Sequence, residues 1–578
     1  MKHIIKNIVV LFCLLCTFSL NTFACNYSCD NNESYVKKRG SCATLTNQLR
    51  RARQLFEKVC LVSNNKKVLP QFEILNTKST RHRFLAVARY PNKITLSKYV
   101  VDVCYRGVET EPGDACLAFI LGHELAHLAN GDVLPKGFLM KGNSTSQNQL
   151  RWEQEEKADD QGFIYAAIAG YPVNNLLGQQ DFFVDWVKKT DATRGITDTH
   201  PNIKKRAAIL RNRLQKIADE LAFFQFGVRL SHFNRCEEEG LYFLERFEKT
   251  FPAREVLNNK GYCYLQQAVT ALESDAYWLT SVLDVATRAE ELTAPPVLRG
   301  KISNQAKQFL TKAQVVFAQA QPVAPSYVPT YINLATTWLY LGKIDKARQA
   351  ITEIPNNKLP MSHQLEIQGL KAIIQYEEGR IPQKAFLQNQ AISQLHHLAQ
   401  QNDAPLTVLY NTAQLLEKNR HRGADKIWQR LAVKAVNLPP SIRHIVCQKQ
   451  NCSSRQRLQP RLTWGLPVEV GIYITHDAKT WNTLQQWERQ KKPLQFKQHN
   501  FEGQIHQSHT AEVLELNGSV AMVVLKKPQN VTPSNLDDYC GQSLYKNTVI
   551  NGTLWRCDNW VALVVDNRVK EIWVVEKE

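Results

Sequence analysis

His123, Glu124 and His127 sit inside an almost uniformly apolar stretch, with Leu117-Ala118-Phe119-Ile120-Leu121-Gly122 before them and Leu125-Ala126 between them. The pattern from Asp114 to Asn130 predicts a buried helix, capped by Asp114 and ended by Gly131. Burying two imidazoles and a carboxylate there strips each of its hydration, which is costly unless something compensates. Two His four residues apart share one helix face, so one metal ion can take a lone pair from each. Glu124 then lies beside a water on that ion and can accept its proton. The helix must therefore lie at the centre of a core, with further ligands brought to it by other elements.

A zinc site of this kind needs a third protein ligand and an open position. A plan with His or Asp at 133 is excluded, because Val133 stands there. A second helix, preceded by Ser144-Thr145-Ser146 and stopped by Pro172, carries Glu155-Glu156-Lys157-Ala158-Asp159-Asp160. Glu155 lies 28 positions past His127 and suits a His, His, Glu set. Asp159, one turn on, can accept the N–H of a ligating His. Glu156 and Asp160 repeat the same spacing, so the register shifted by one is the alternative.

His123-Glu124-x-x-His127, Glu155-x-x-Ala158-Asp159, and Thr199-His200-Pro201 with Arg206 together resemble the family of HtpX-like and CAAX prenyl proteases. Within it, the similarity is closer to secreted bacterial members of the BepA type, which carry C-terminal tetratricopeptide repeats. The motifs span roughly 72–211, about a quarter of the chain. The resemblance implies an α+β zincin-type (gluzincin) domain and one Zn2+ per chain, held by His123, His127 and Glu155. It implies Asp159 as the His orienter, and His200 near the metal as a reversible ligand or oxyanion support. Ala158 directly before the Asp favours Glu155 with Asp159 over the shifted register. In the family, the strand before the metal-bearing helix is the edge along which an extended substrate pairs; here that strand contains Ala86, Val87 and Ala88. An ordinary core strand is the alternative. No membrane helices are present in the sequence, so prenyl-protein processing does not carry over.

The chain reads as three regions after a leader. Lys2 and Lys6, an apolar run from Ile8 to Leu20, and Thr22-Phe23-Ala24 read as a secretory signal over 1–24. Lipid attachment at Cys25 is the lesser alternative, since Thr22 stands where a lipoprotein signal has Leu. Twelve of the fourteen cysteines follow the signal, an even number that suits an oxidising compartment, periplasmic or extracellular. Cys236 with Cys263, Cys447 with Cys452, and Cys540 with Cys557 are the expected pairs. The metallopeptidase region covers 25–215, with a basic helix over 41–62, strands near 72–75, 84–88 and 94–96, and a mobile loop over 131–146. Residues 220–440 read as all-α. Tyr331-Ile332-Asn333-Leu334-Ala335 through Gly342 to Pro355 resembles a tetratricopeptide repeat, with looser copies near Asn258–Ala268, Ala372–Gly379 and Asn411–Trp428. Such repeats would give a concave surface for peptides and partner proteins. Residues 455–578 alternate with period two, and Asn517-Gly518, Asn551-Gly552 and Asp566-Asn567 read as turns of an all-β region, a small barrel or sandwich.

The formal charge of +19 invites a nucleic-acid reading, but residues 101–200 carry net −7 and residues 201–500 net +16. No recognition motif or aromatic-basic stripe accompanies that surplus, so nucleic acid is not an expected partner. The basic stretch predicts docking to acidic proteins or to an anionic membrane surface. The function expected is zinc-dependent hydrolysis of peptide bonds in misfolded or partner-presented proteins. The alternative is a cell-envelope chaperone or adaptor whose protease is latent.

Overall fold

The structure, a computed structural model, describes residues 41–576 apart from 64–69, 76–85, 109, 134–144, 178–181, 189–202, 234, 272–276, 285–289, 292–302, 324–326, 355–360, 436–437, 439, 451, 453–465, 499, 529–530, 541–544, 550–551, 558 and 566. The signal segment, His200 and most of the loop expected over 131–146 lie outside the described residues. The chain divides into two compact units, Met1–Ala52 and Arg53–Glu578. Of the first, the opening turns of helix α1 (Ser41–Val62) are described. The rest concerns the second unit, which mixes helices with sheet and carries a separate antiparallel sheet towards its C-terminus.

Strands β1 (Gln71–Leu75), β2 (Ala86–Arg89) and β3 (Lys93–Ser97) form a small sheet of order β1-β3-β2. β1 is parallel and β2 antiparallel to β3, which leaves β2 at an edge of the described sheet. Helix α2 (Lys98–Cys104) leads into α3 (Thr110–Asn130), and the Cys104–Cys116 disulfide ties them together. That pairing was not expected from the sequence. Every residue of α3 from Gly113 to Leu128 is buried. The helix begins four residues before the expected cap. Asp114 is an interior residue instead, and its carboxylate accepts the Tyr105 hydroxyl at 2.6 Å. Gly131 does end the helix, at a φ of 75° that favours glycine, and the Asp132 N–H donates back to the His127 carbonyl.

Helix α4 (Thr145–Ile168) packs along α3, and α5 (Asn174–Leu177) follows. A helical segment over 182–188 closes over α3, setting Phe182, Phe183 and Trp186 edge-on to Phe119. The long α6 (Ile203–His232) then leads into α7 (Leu241–Thr250), α8 (Arg254–Thr270), α9 (Asn304–Val323), α10 (Val328–Tyr340), α11 (Ile344–Thr352), α12 (Met361–Glu378), α13 (Phe386–Ala399), α14 (Leu406–Lys418), α15 (Ala424–Val433) and α16 (Pro440–Gln450). From α8 to α15 these pack in consecutive pairs around two buried cores. Disulfides join Cys236 to Cys263 and Cys447 to Cys452, as expected, while the expected partner of Cys557, the Cys540 side chain, is outside the described residues. Such covalent closure suits an oxidising, exported setting. Among the described residues no helix is long and apolar enough to cross a membrane.

The C-terminal sheet is antiparallel throughout, as period-two alternation predicted. After a separate two-stranded pair, β4 (Leu283–Asp284) with β5 (Glu290–Glu291), its order is β10-β11-β12-β13-β9-β8-β7-β6, formed by β6 (Leu494–Lys497), β7 (Glu502–Gln507), β8 (Ala511–Leu516), β9 (Ser519–Lys526), β10 (Tyr545–Val549), β11 (Gly552–Cys557), β12 (Trp560–Val565) and β13 (Arg568–Val575). Asn517 and Gly518, at φ of 49° and 79°, make the β8–β9 turn. Two features differ from the all-β barrel or sandwich expected. The strands lie in one sheet, and two helices accompany it, α17 (Ala478–Gln490) and α18 (Pro533–Cys540). Asp477 caps α17 through the Thr480 N–H, a local polar signal that period-two counting does not register.

A buried ion cluster joins α6 to this sheet. Arg229 donates to Glu512 at 3.0 Å and to Glu571 at 3.1 Å, and Lys526 lies 2.7 Å from Glu512. Burial pushes the Glu512 carboxyl up, but Lys526 and Arg229 outweigh it and hold it at about 2. Replacing Arg229 with Ala leaves Glu512 short of compensation, and about 3 kcal/mol or more of stability should be lost in a denaturant melt. Because the folded value lies below the ordinary 4.5, the contribution of Glu512 is complete above that pH and lost as pH falls towards about 2. Acid unfolding monitored by tryptophan fluorescence should therefore show a Glu512-dependent step in that window.

Candidate metal centre

Gly122 on α3 and Gly162 on α4 let the two helices touch backbone to backbone. A Cβ on Gly162 would lie 2.5 Å from the His123 main-chain nitrogen, and one on Gly122 would lie 2.6 Å from the Gly162 carbonyl oxygen. This close approach, which only glycine tolerates, carries Glu155 and Asp159 of α4 up to the His pair.

Among the described residues, His123, His127 and Glu155 form a group whose ligand atoms all lie within 4.8 Å of one another. The two imidazole Nε2 atoms are 3.1 Å apart. Glu155 sets Oε2 at 3.3 Å from His123 Nε2 and Oε1 at 3.4 Å from His127 Nε2. Ligands about 2.0–2.1 Å from a tetrahedral ion are separated by about 3.3–3.4 Å, so the two imidazoles are near that spacing, with one carboxylate oxygen at that distance from each of them. The rear nitrogens are held as well. His123 Nδ1 is 2.9 Å from Asp159 Oδ1, and His127 Nδ1 is 2.9 Å from Asp132 Oδ2. With each Nδ1–H donated to a carboxylate, both Nε2 lone pairs converge on one point. The group could thus hold a metal ion.

The electrostatics favour positive charge at that point. Burial lowers the pKa of His123, yet Asp159 and Glu155 overcome it and raise the value to about 10. His127 is likewise lowered by burial and raised above its ordinary value by Asp132 and Glu155. Carboxylates therefore call for a cation between the imidazoles, whether protons or a metal.

Glu124, buried beside them on α3, accepts the Ala88 N–H at 2.7 Å. Ala88 is on β2, so the outer edge of that strand faces the site, and one of its main-chain donors is held by Glu124. Ala86 and Val87 precede it on the same edge strand and are half-buried.

Two α4 registers were open in the sequence, and the side chains separate by face. Glu155 and Asp159 face the imidazoles. Glu156 and Asp160 face α6 instead, where Arg213 meets them at 2.7 and 2.5 Å. Burial pushes the Asp160 carboxyl up to about 6, although Arg213 opposes the shift. Arg206 lies over the Trp152 ring at 4.2 Å, joining α6 to α4.

Sequence reasoning missed Asp132, Trp186 and the glycine contact. Asp132 carried a weak signal, because a carboxylate just after a glycine helix stop can fold back on the last turn. Trp186 donates to Asp159 Oδ1 at 3.2 Å and packs edge-on to His123, a contact that no local pattern announces. No protein-family model matches the chain, and no curated protein matches it in sequence.

Metal titration separates these side chains. Glu155→Ala should abolish stoichiometric metal binding measured by elemental analysis, whereas Glu156→Ala should retain it. Asp132→Ala should weaken affinity by about 10–100-fold. Gly162→Ala should reduce metal content by moving α4 away, with no ligand altered.

Proposed function

We propose that the chain is an exported zinc-dependent endopeptidase of the HtpX-like type described above, acting on protein substrates. The observation that carries this reading is the convergence of His123, His127 and Glu155: the two Nε2 atoms are 3.1 Å apart and the Glu155 carboxylate lies 3.3 Å from one and 3.4 Å from the other through its two oxygens, with Glu124 on the same helix. Three N and O donors with one open position suit zinc. When bound, zinc would polarise the scissile carbonyl and lower the pKa of a water.

The chain's own residues account for the remaining work. His123 and His127 keep their Nε2 atoms forward because Asp159 and Asp132 hold Nδ1. Glu124 acts as general base towards the attacking water and then returns the proton to the leaving amine. The Ala88 N–H holds one Glu124 oxygen and so aims the other. β2 offers its outer edge to an extended substrate, whose main chain would pair along Ala86–Ala88, apart from the Ala88 N–H that Glu124 holds, with little demand on sequence. His200 remains the proposed oxyanion support on the strength of the resemblance. The helices from α8 onward would dock partner proteins as tetratricopeptide-like repeats, with their basic surplus directed to acidic proteins or an anionic membrane surface.

Glu124→Gln is expected to lower cleavage of an unfolded protein by at least about a hundredfold while zinc content stays unchanged. Equal cleavage by the variant would refute the proposal. Retention on anionic vesicles should decline as ionic strength rises.

A further inference from the structure

Residues 277–284 run extended through the helical array, and their main chain is held mostly by side chains. Asn411 of α14 accepts the Trp278 N–H at 2.9 Å and donates to its carbonyl at 2.8 Å. Asn333 of α10 does the same for Val282, at 2.6 and 2.8 Å. Asn259 of α8 repeats it for Asp284, at 2.8 and 2.6 Å. Between these, Thr336 donates to the Thr280 carbonyl at 2.5 Å. The held residues alternate, 278, 280, 282 and 284, as an extended chain requires. Within the described residues, strand pairing of this segment is confined to Leu283–Asp284 with Glu290–Glu291.

The amides belong to corresponding places on three helices. Asn259-x-Gly261, Asn333-x-Ala335 and Asn411-x-Ala413 each set the amide two residues before a small residue. All three amides are at most 1% exposed. A buried amide without partners is costly, and so is a buried peptide unit, so each amide and the main chain it holds satisfy one another. Bidentate amides at this spacing are satisfied by one kind of occupant, the main chain of an extended polypeptide.

Side chains add selectivity. Trp278 lies edge-on to Tyr410 at 6.0 Å. The Thr280 hydroxyl donates to Glu366 at 2.5 Å. Val282 sits in the core with Ile332 and Leu334, and the Asp284 carboxylate accepts the Tyr327 hydroxyl.

We propose that α8, α10, α12 and α14 form a reader of extended polypeptide and that segment 277–284 is its resident occupant. A partner chain with an aromatic, a hydroxyl, a β-branched and an acidic residue at alternate positions takes its place. Because an amide reads only the peptide unit, the incoming chain can reproduce the resident's hydrogen bonds one for one. A tethered occupant competes at an effective concentration in the millimolar range, so a free peptide must approach about 1 mM to displace it.

The inference is independent of proteolysis, and its test reads binding alone. A synthetic peptide with the sequence of 277–284 and an N-terminal fluorophore is titrated into the full chain. Anisotropy reports binding, and hydrogen–deuterium exchange with mass spectrometry reports the resident segment. The expected result is saturable binding together with about tenfold faster exchange in 277–284 and no change in α3. A second peptide, N-methylated at the positions of Trp278, Val282 and Asp284, should fail to bind. No binding, binding without faster exchange of the resident segment, or equal binding of the methylated peptide would each overturn the proposal.

Discussion

The backbone contact between Gly122 and Gly162 sets the distance on which the candidate centre depends. Helices normally meet through side chains at axial separations of about 8–10 Å. Here two glycines face each other, so His123 comes within reach of both Glu155 and Asp159 on one neighbouring helix. The buried imidazoles need those carboxylates, because α3 is enclosed by β2, α4 and the aromatic cover from 182–188 and offers them little water. Position, charge balance and burial are thus aspects of one helix-to-helix approach.

The same logic of buried polar groups holds the rest of the second unit together. Arg229 is compensated by Glu512 and Glu571 where α6 meets the C-terminal sheet. Asn259, Asn333 and Asn411 are compensated by the main chain of 277–284. In each case the polar group is tolerable because a specific partner arrives from far along the chain, so these groups specify geometry as much as they add stability. The contrast between them is chemical. The ion cluster joins charged groups, whereas the amides join a surface that reads any suitably extended chain.

Much of this was legible in local pattern. Gly131 as a helix stop, the second helix ending before Pro172, the Asn517-Gly518 turn and the Cys447–Cys452 disulfide follow from rules that act over a few residues. The three side chains of the candidate centre were legible too, because two share a helix turn and the third lies on a helix with a single strong acidic cluster. Local rules misjudged the start of α3, where the apolar pattern conceals a first turn beginning at Thr110. They also overlooked α17 and α18, whose polar composition resembles loop within a region dominated by alternation.

The amino-acid sequence by itself determined that an apolar helix would bury His123, Glu124 and His127, and therefore that these polar groups would need partners from elsewhere in the fold. Periodicity and side-chain hydration decide that much, and both are local. The tertiary structure alone decided which carboxylates answer them. Glu155 rather than Glu156 turns towards the imidazoles, and Asp132 rather than a distant residue holds His127. It also decided that three asparagines about 75 residues apart would grip one strand. Helix phase and inter-helix distance are properties of packing, and no spacing along the chain encodes them.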